Sequence, residues 1–315
     1  METPTRVIVN EQAGGGAMAD IFRRVEHRLR DILGSVEVVF TDYPGHAVEL
    51  AAEAIDDGVV RLIVAGGDGT LNEVVNGCFN ADGAVRHPEL TIGLLAGGTG
   101  GDFRRSLGIH GLDHALEVLE TGKDVSIDVG RISYRDDQGG TVLRHFINVA
   151  SVGLSGLVDR HVARFNALPG QWAYLAATAR ALMDFETPQV RLTVDKAFEA
   201  EMPITTIAVA NGRYFGGGMR IAPQAKLGDG AFDITTVSAL SRWELLSLGK
   251  AIYDGSLLEE PKVLSLRGAT GEISSDEEVA IDVDGEALGW LPVRFEMCSR
   301  SLRFRMPATV VEAHV

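Results

Sequence analysis

Residues 61–77 read RLIVAGGDGTLNEVVNG, and this stretch decides the fold. Its first five residues, mostly apolar, have the length and composition of a short buried strand. Glycines at positions 66, 67 and 69 then surround Asp68, and the segment from Thr70 to Glu73 has the spacing of a helix capping box. The stretch therefore predicts a strand, a glycine turn and a helix that follows the turn.

A glycine turn between a strand and a helix N-terminus is suited to binding an anion. Its backbone N–H groups point outward, glycine lets a phosphate approach them, and the helix dipole favours negative charge. Asp68 would repel phosphates unless a divalent cation lies between them or the carboxylate orients the loop. The turn contains no lysine, and neither the Walker pattern nor a Rossmann G-x-G-x-x-G after the first strand is present. Phosphate binding here must rely on backbone amides, hydroxyl groups and a metal ion.

The alternative interpretation of this turn is purely structural, with glycines that only permit tight packing between a strand and a helix. Four further residues weigh against that interpretation, because a bare packing turn does not require them: Asn72, Glu73, Asn76 and Gly77. We therefore favour a nucleotide site at this turn.

Short apolar strands alternate with helices from residue 6 to about residue 131. This alternation predicts a parallel sheet with helices on both faces, and ligands bind such sheets at the carboxyl ends of the strands. Four separate loops are expected at these ends, and they contain Asn10, Thr41, the 66–70 turn and Gly98–Thr99. Because the four loops converge on one edge, the first part of the chain is predicted to bind a nucleotide.

After about residue 130 the pattern changes to many short strands separated by turn residues, and one of the predicted strands is Leu143–Val149. Helical insertions at about 155–165 and 171–184, and a later helix at about 242–253, interrupt these strands. Such a pattern predicts a mostly β, sandwich-like second domain. The chain is long enough for two cores, since domains commonly split well below 315 residues. We place the nucleotide-binding α/β domain at residues 1–131 and the β-rich domain at residues 132–298.

The net charge of −15 argues against a nucleic-acid partner and against permanent anchoring by a basic patch on anionic lipid. No apolar stretch approaches the ~20 residues that span a bilayer, and residues 1–10 lack the apolar core of a secretory signal peptide. Cys78 and Cys298 are too few for a disulfide framework or a zinc site. These features predict a cytoplasmic protein that meets membranes only transiently. The oligomeric state stays open, with a homodimer as one alternative.

Motifs along nearly the whole chain resemble, in the same order, those of the diacylglycerol-kinase catalytic-domain family. That family includes soluble bacterial lipid kinases and is related to the sphingosine and ceramide kinases. The segments that carry the resemblance are 7–16, Thr41, 66–77, 94–108, 211–223, 229–230 and 284–286. The chain departs from the family pattern at Glu11, where a proline is usual, at Gly101, where an asparagine is expected, and at Gly228, which is often acidic.

The resemblance implies an NAD-kinase- or phosphofructokinase-like first domain, with residues 299–315 as an addition to it, and a second domain that receives the lipid. It also implies ATP as co-substrate and Mg²⁺ as cofactor. The nucleotide-binding residues that it implies are Asn10, Thr41, Gly66, Gly67, Asp68, Gly69, Thr70, Leu71, Asn72 and Thr99. The Mg²⁺ ligands that it implies are Asp229 and the backbone carbonyls of Phe232 and Ile234. An acidic network beside the phosphates is expected from Asp68, Asp102 and Asp128.

Phosphorylating an alcohol requires a base, because the hydroxyl loses its proton as its bond to phosphorus forms. Asp284 and Glu286 follow an alternating strand in which Ile281 and Val283 face one side and Asp282 faces the other, together with Asp284. By resemblance, Glu286 is the base, and Asp284 and Asp68 complete the catalytic set. The alternative is an Asp-Gly hairpin turn with two solvated acids.

We therefore expect an ATP-dependent lipid kinase that phosphorylates a lipid hydroxyl, with diacylglycerol as the leading substrate class. One alternative is an NAD kinase, which shares GGDGT but usually continues with apolar residues where this chain has Asn72–Glu73. Another is a nucleotide-regulated lipid-binding protein with little catalysis. One predicted helix carries an apolar set that either packs in the core or admits an acyl chain: Trp172, Tyr174, Leu175, Leu182 and Met183.

Overall fold

The computed structural model describes residues 3–95, 101–162 and 170–310. The chain divides into two compact units. The first contains Met1–Val129, Lys226–Gly230 and Cys298–Val315, and the second contains Gly130–Ala225 and Ala231–Met297. The chain therefore passes from one unit to the other four times.

The first unit alternates strands and helices along the chain. In chain order they are β1 (Thr5–Val9), α1 (Ala17–Leu33), β2 (Val36–Phe40), α2 (His46–Asp56), β3 (Arg61–Ala65), α3 (Asp68–Gly77), β4 (Thr91–Leu94), α4 (Asp102–Ser106) and α5 (Gly111–Thr121). Strand β5 (Lys123–Arg135) follows, and its later residues belong to the second unit.

Strands β1 to β4 form a parallel sheet in the order β2-β1-β3-β4. The register pairs Val9 with both Phe40 and Ala65, so three neighbouring strands end level with one another. Arg303 and Phe304, near the end of the chain, extend the sheet in parallel beside β4. The prediction of an α/β first part with a parallel sheet is confirmed.

Helix α1 covers the sheet through one apolar stripe. Its buried residues recur at three- and four-residue spacings, which place them on one face of the helix. They are Met18, Ile21, Phe22, Val25, Leu29 and Leu33. These side chains join Val7, Val9 and Ile63 of the sheet in one hydrophobic cluster. The loops that follow the strands are therefore supported by a packed core.

The predicted capping box at Thr70–Glu73 is wrong, because helix α3 begins earlier, at Asp68. Gly67 is its N-cap residue, with no side-chain capping bond. The Glu73 carboxylate instead accepts the backbone N–H groups of Gly45, at 2.9 Å, and Ala47, at 3.1 Å. Glu73 therefore caps the N-terminus of α2, where unpaired N–H groups need an acceptor. The Glu73 side chain connects α3 to α2 and does not cap α3, the helix to which it belongs.

The second unit is mostly β. Its further elements are β6 (Thr141–Phe146), β7 (Val149–Gly153), α6 (Leu154–Val162), α7 (Gly170–Asp184), β8 (Gln189–Val194), β9 (Phe198–Ala210), β10 (Phe232–Ser238), α8 (Arg242–Asp254), β11 (Val263–Gly268), β12 (Thr270–Ser274), β13 (Ala280–Val283) and β14 (Glu286–Met306), whose last residues belong to the first unit. Within the described ranges of the chain, no helix combines the length and apolar character that a membrane crossing requires.

The strands of the second unit pair antiparallel in the order β11-β10-β9-β7-β13-β14. Strand β8 pairs with β9 and β12, β12 pairs with β14, and β6 pairs with β5. One large hydrophobic cluster fills the interior and includes Phe146, Phe232, Ile281 and Phe295. The prediction of a mostly β, sandwich-like second part is confirmed.

The predicted strand Leu143–Val149 is wrong in one respect, because the structure breaks it into β6 and β7. The break falls at Ile147 and Asn148, whose backbone N–H groups donate to the Asp284 carboxylate at 3.0 and 2.9 Å. A side chain distant in sequence takes the hydrogen bonds that a continuous ladder would have used. This break becomes part of the candidate site.

Candidate active site

The loops that follow β1, β2 and β3 lie side by side at the carboxyl edge of the first unit's sheet. The Thr41 N–H donates to the carbonyl of Val9, and the Asn10 N–H donates to the carbonyl of Ala65, both at 2.9 Å. Asn10, Thr41 and the glycine turn therefore lie in neighbouring loops, as expected for strands of one parallel sheet. Thr99, the fourth predicted contact, lies outside the described residues.

Asn10 ties its own loop to helix α3. Its side-chain Nδ2 donates to the Thr70 hydroxyl oxygen at 2.9 Å, and its Oδ1 accepts the Gln12 N–H at 3.0 Å. Both ends of the amide are thus engaged within the unit. Asn10 and Thr70 hold the two loops in register, which is a positioning role for two residues predicted to bind the nucleotide.

The glycine turn leaves open space at Gly67 but not at Gly66. A Cβ at Gly67 would meet no atom within 4 Å, whereas a Cβ at Gly66 would lie 2.6 Å from the Cβ of Thr70. Gly66 is therefore required for packing against Thr70, and Gly67 borders unoccupied space at the N-terminus of α3. An anion can approach the helix N-terminus there, since no atom of the described residues lies within 4 Å of a Cβ at Gly67.

Two predicted nucleotide contacts have other partners in the structure. The Leu71 N–H donates to the carbonyl of Gly67 at 3.0 Å, so it belongs to the first helical bond of α3. Asn72 is fully buried, and its Oδ1 accepts from Nδ2 of Asn76 at 3.1 Å. The N–H groups of Asp68, Gly69 and Thr70 precede the first helical bond, and first-turn groups of this kind have no acceptor within their helix.

Asp68 and Asp102 are brought together although 34 positions separate them in the sequence. The backbone N–H of Asp102 donates to Oδ2 of Asp68 at 2.7 Å. The Asp102 carboxylate in turn forms an ion pair with Arg105. Gly101, which precedes this pair, has a φ of 99°, a conformation that glycine adopts without strain and that asparagine tolerates better than most residues. Glycine at position 101 therefore suits the backbone conformation of this turn.

Asp128, which was predicted to join Asp68 and Asp102 in an acidic network, accepts hydrogen bonds from two backbone N–H groups. It is fully buried, and its two oxygens accept the backbone N–H groups of Gly230 and Arg300, each at 2.7 Å. Burial raises the pKa of the Asp128 carboxyl, and these two N–H donors partly offset that effect. Asp128 thus holds the Asp229–Gly230 turn and the Arg300 backbone in place within the first unit.

The predicted Mg²⁺ ligands are divided between the two units. Asp229 belongs to the first unit, while Phe232 and Ile234 lie on β10 of the second unit with fully buried side chains. The proposed donors, one carboxylate and two carbonyls, are all oxygen atoms, which suit a hard cation such as Mg²⁺. Across the described ranges, no group of three or more His, Cys, Asp or Glu side chains is placed to hold a metal.

Asp284 and Gly285 form the hairpin turn that joins β13 to β14 in the second unit. Val283 pairs with Glu286, and the two turn residues have φ angles of 51° and 87°, as in a type I′ turn. The Asp284 carboxylate is not solvated, because it accepts the N–H groups of Ile147, Asn148 and Val149 at 2.9–3.0 Å. The hairpin is therefore real, but Asp284 is a buried anchor rather than a solvated turn acid.

Glu286, the predicted base, is ion-paired with Arg144. Oε2 of Glu286 lies 2.6 Å from Nη2 of Arg144, and the two side chains are 35% and 22% exposed. The guanidinium holds the carboxylate in one orientation at the start of β14. The sequence offered no signal for Arg144, because 142 positions separate the two residues and Arg144 lies in a strand without a recognisable motif.

A second pair of acids in this unit consists of Asp159 on α6 and Asp282 on β13. Asp282 is buried and accepts from the Ser151 hydroxyl at 3.1 Å, and the Asp159 carboxyl of α6 is its acidic neighbour. The two carboxyls can hydrogen-bond to each other only if one of them is protonated. Burial raises the pKa of Asp159 to about 6, and burial together with the Asp159 charge raises the pKa of Asp282 well above its ordinary value.

This pair makes the stability of the second unit depend on pH. Because folding raises both pKa values, the pair favours folding while it is protonated, and this contribution is lost as the pH rises from 3.8 through about 6. As the pH rises from 4 to 7, we expect the unfolding free energy of Asp282→Asn to increase by about 1–3 kcal/mol relative to that of wild type. Urea unfolding measured by tryptophan fluorescence reports this unit, since all three tryptophans belong to it.

Asp276→Asn is the matched control, because Asp276 is an exposed acid of the same unit. The difference in unfolding free energy between Asp276→Asn and wild type should stay constant over the same pH range. If the difference in unfolding free energy between Asp282→Asn and wild type were also constant, the two acids would not hold a proton between them in this pH range.

The apolar set proposed for an acyl chain is only partly described. Helix α7 spans Gly170–Asp184, but the side chains of Trp172, Tyr174 and Leu175 lie outside the described residues. Leu182 is half-buried, and Met183 is 66% exposed. Core packing does not account for Met183.

Comparison with known proteins agrees with the two-part organisation. The model of the diacylglycerol kinase catalytic domain matches residues 4–132, and that of the YegS C-terminal NAD kinase beta sandwich-like domain matches residues 148–306. A diacylglycerol kinase of Staphylococcus carnosus is 28% identical over 98% of this chain and 97% of its own. A Klebsiella pneumoniae protein named "Probable lipid kinase YegS-like" is 29% identical over 93% of this chain and 94% of its own.

Solved structures share the fold. One from Bacillus anthracis aligns with a TM-score of 0.78 at 25% identity, covering 98% of this chain and 96% of that chain. A diacylglycerol kinase from the same organism aligns with a TM-score of 0.71 at 23% identity, covering 98% of each chain. With both domain models matched in order along its length, the chain belongs to the family of diacylglycerol kinases and YegS-like lipid kinases, and it is a lipid kinase enzyme.

Proposed function

We propose that this enzyme transfers the γ-phosphoryl group of ATP to a lipid hydroxyl, with diacylglycerol as the leading substrate class. The observation that carries the proposal is the glycine turn, where Gly67 borders open space at the N-terminus of α3. Relatives named as diacylglycerol kinases, such as the one from Staphylococcus carnosus, support the choice of acceptor.

The first unit is proposed to bind the phosphates of ATP. The first-turn N–H groups of α3 are the donors, and the α3 dipole favours the negative charge. Asn10 and Thr70 hold the neighbouring loop against the turn through their 2.9 Å hydrogen bond. Asp68 lies in the turn itself and accepts the Asp102 backbone N–H, and carboxylate oxygens of this kind are donors that fit Mg²⁺. When bound, Mg²⁺ supplies neutralisation of phosphate charge that the lysine-free turn lacks.

The second unit is proposed to supply the base. Glu286 accepts the proton of the lipid hydroxyl as the oxygen forms a bond to the γ-phosphorus, while the bond between that phosphorus and the bridging oxygen of ADP breaks. ADP leaves with the electron pair, and Glu286 returns the proton to solvent. Phosphoryl transfer has a loose transition state, so the orientation of the carboxylate matters more than its basicity. The 2.6 Å pair with Arg144 provides that orientation, and Asp284 holds the adjoining turn.

A second candidate function is phosphorylation of NAD, because the C-terminal domain is described as NAD kinase beta sandwich-like. Parallel assays with γ-labelled ATP and either diacylglycerol in mixed micelles or NAD distinguish the two. We expect label in phosphatidic acid and none in NADP. Label in NADP alone would replace the proposal, and label in neither product would support a nucleotide-regulated lipid-binding protein.

Diacylglycerol lies in a bilayer, so we propose that this enzyme is cytoplasmic and meets a membrane surface transiently. The same transfer assay with the lipid in vesicles tests this part of the proposal. Because the net charge is −15, transfer on anionic vesicles should rise as salt screens the repulsion, over a Debye length of about 10 Å at 0.1 M salt. Transfer that falls steadily with salt would instead indicate docking through a local basic face.

A further inference from the structure

Tyr43 and His46 form a stacked aromatic pair in the first unit. Their ring centroids are 4.5 Å apart, and the ring planes are inclined by 12°. His46 covers one face of the tyrosine ring, while Tyr43 as a residue is 50% exposed. The Tyr43 hydroxyl donates to Oε2 of Glu49 at 2.8 Å, which fixes the tilt of the ring. The pair therefore presents a flat aromatic face in a fixed orientation.

This aromatic face lies at the edge of the sheet where the glycine turn lies. Tyr43 follows Thr41 by two residues, and Thr41 directly follows β2. Strands β2, β1 and β3 are neighbours in the sheet, and neighbouring strands are about 4.8 Å apart. Thr41 therefore lies about 10 Å from Gly66, two strand spacings along the same edge.

The loop that carries Tyr43 is bound directly to the helix that follows the glycine turn. The Glu73 carboxylate of α3 accepts the N–H groups of Gly45 and Ala47, at 2.9 and 3.1 Å. Within the loop, the Asp42 N–H donates to Nδ1 of His46 at 3.0 Å. These hydrogen bonds hold the aromatic face and the glycine turn in one arrangement.

A structural role for the pair would be to support the first turn of α2. That turn already has its cap, because Glu73 supplies the acceptor for its N–H groups. The exposed face of Tyr43 adds nothing to that cap. Exposed aromatic rings beside a phosphate site have a known use, since nucleobases stack on them through their π-faces.

We propose that the exposed face of Tyr43 stacks against the nucleobase of the nucleotide whose phosphates bind at the glycine turn. The inference rests on the proposed nucleotide site and adds the group that recognises the base. Stacking of this kind tolerates any base, so the pair contributes affinity rather than a choice between adenine and guanine. His46 acts as a positioning residue, because it supports the face of Tyr43 that the base does not touch.

Calorimetric titration with ATP and, separately, with inorganic tripolyphosphate, both with Mg²⁺, tests the inference. We expect Tyr43→Ala to weaken ATP binding by about 5- to 100-fold, because the stacked base is lost. Binding of tripolyphosphate should stay unchanged, because it has no base. Tyr43→Phe keeps the ring and should keep ATP affinity within about threefold of wild type, the Glu49 hydrogen bond contributing little at an exposed site.

Tyr253→Ala is the matched control, since Tyr253 is 53% exposed on α8 of the second unit. It should bind ATP as wild type does. Unchanged ATP affinity in Tyr43→Ala, with normal binding in wild type, would overturn this inference and leave the nucleotide site standing. Equal weakening of ATP and tripolyphosphate would also overturn it, since the variant would then have disturbed the phosphate turn. A wild-type chain that binds neither ligand would overturn the nucleotide site itself.

Discussion

Replacing Glu286 with glutamine should lower kcat for lipid phosphorylation by about 10²- to 10⁴-fold, the usual contribution of a positioned base. Glutamine has nearly the same size and can still accept the Arg144 hydrogen bond, but it cannot take the proton of the lipid hydroxyl. ATP affinity should change little, because the predicted nucleotide residues lie in the first unit and Glu286 lies in the second. A steady-state assay with γ-labelled ATP gives kcat, and calorimetry gives the ATP affinity.

Glu272→Gln is the matched control for this change. Glu272 is also a glutamate of the second unit, with an exposure (38%) close to that of Glu286 (35%), and it is ion-paired with Arg294 at 2.8 Å. Its kcat should stay near the wild-type value, because surface ion pairs contribute little to stability. If Glu286→Gln kept activity within a few fold of wild type, Glu286 would be excluded as the base.

Replacing Gly67 with valine should remove most of the kinase activity while the sheet stays folded. A Cβ at this position meets no atom within 4 Å, so the side chain enters the space from which a phosphate would approach α3. Displacing a reacting group by about 1 Å can cost on the order of 10²-fold in rate, and we expect at least this loss in kcat/KM for ATP. Circular dichroism establishes the folded state.

Gly249→Val is the control for this change, because a Cβ at Gly249 also meets no atom within 4 Å and the residue lies on helix α8 of the second unit. It should retain wild-type kcat/KM. Gly66→Val serves as a contrast, since its side chain would collide with Thr70 and should lower the free energy of unfolding as well as activity. A folded Gly67→Val chain with unchanged ATP affinity would remove the turn from the nucleotide site.

The parallel sheet was predictable because its signals are local. The apolar run at 61–65 and the glycines that follow it encode a strand and a turn without reference to distant residues. Since parallel strands end at one edge, the sequence also indicated which loops would be neighbours. The structure places Asn10 and Thr41 in adjacent loops at that edge.

The errors arise where a distant partner takes over a local hydrogen bond. The pattern at Thr70–Glu73 matches a capping box, yet Glu73 binds the α2 N-terminus and Thr70 accepts from Asn10. The predicted strand at 143–149 is broken because Asp284, more than 130 positions away, binds the N–H groups at the break. Neither partner is visible in a local window, so these features could be found only from the structure.

The same limit applies to the candidate site. The sequence singled out Glu286 but not Arg144, and it grouped Asp128 with Asp68 and Asp102 as a single acidic network. In the structure Asp128 binds the backbone of Gly230 and Arg300. The type of residue indicated acidic chemistry, while the partner of each acid depends on how the segments of the chain pack.

The most direct test of the central claim is the identity of the phosphorylated product. The purified enzyme would be incubated with γ-labelled ATP, Mg²⁺ and a total lipid extract, and labelled species would be separated and identified by mass spectrometry. The account predicts label in a phospholipid formed by phosphorylation of a lipid hydroxyl, with phosphatidic acid as the leading product, and loss of that label with Glu286→Gln. Label confined to a water-soluble product such as NADP, or no labelled lipid from an enzyme that binds ATP, would contradict it.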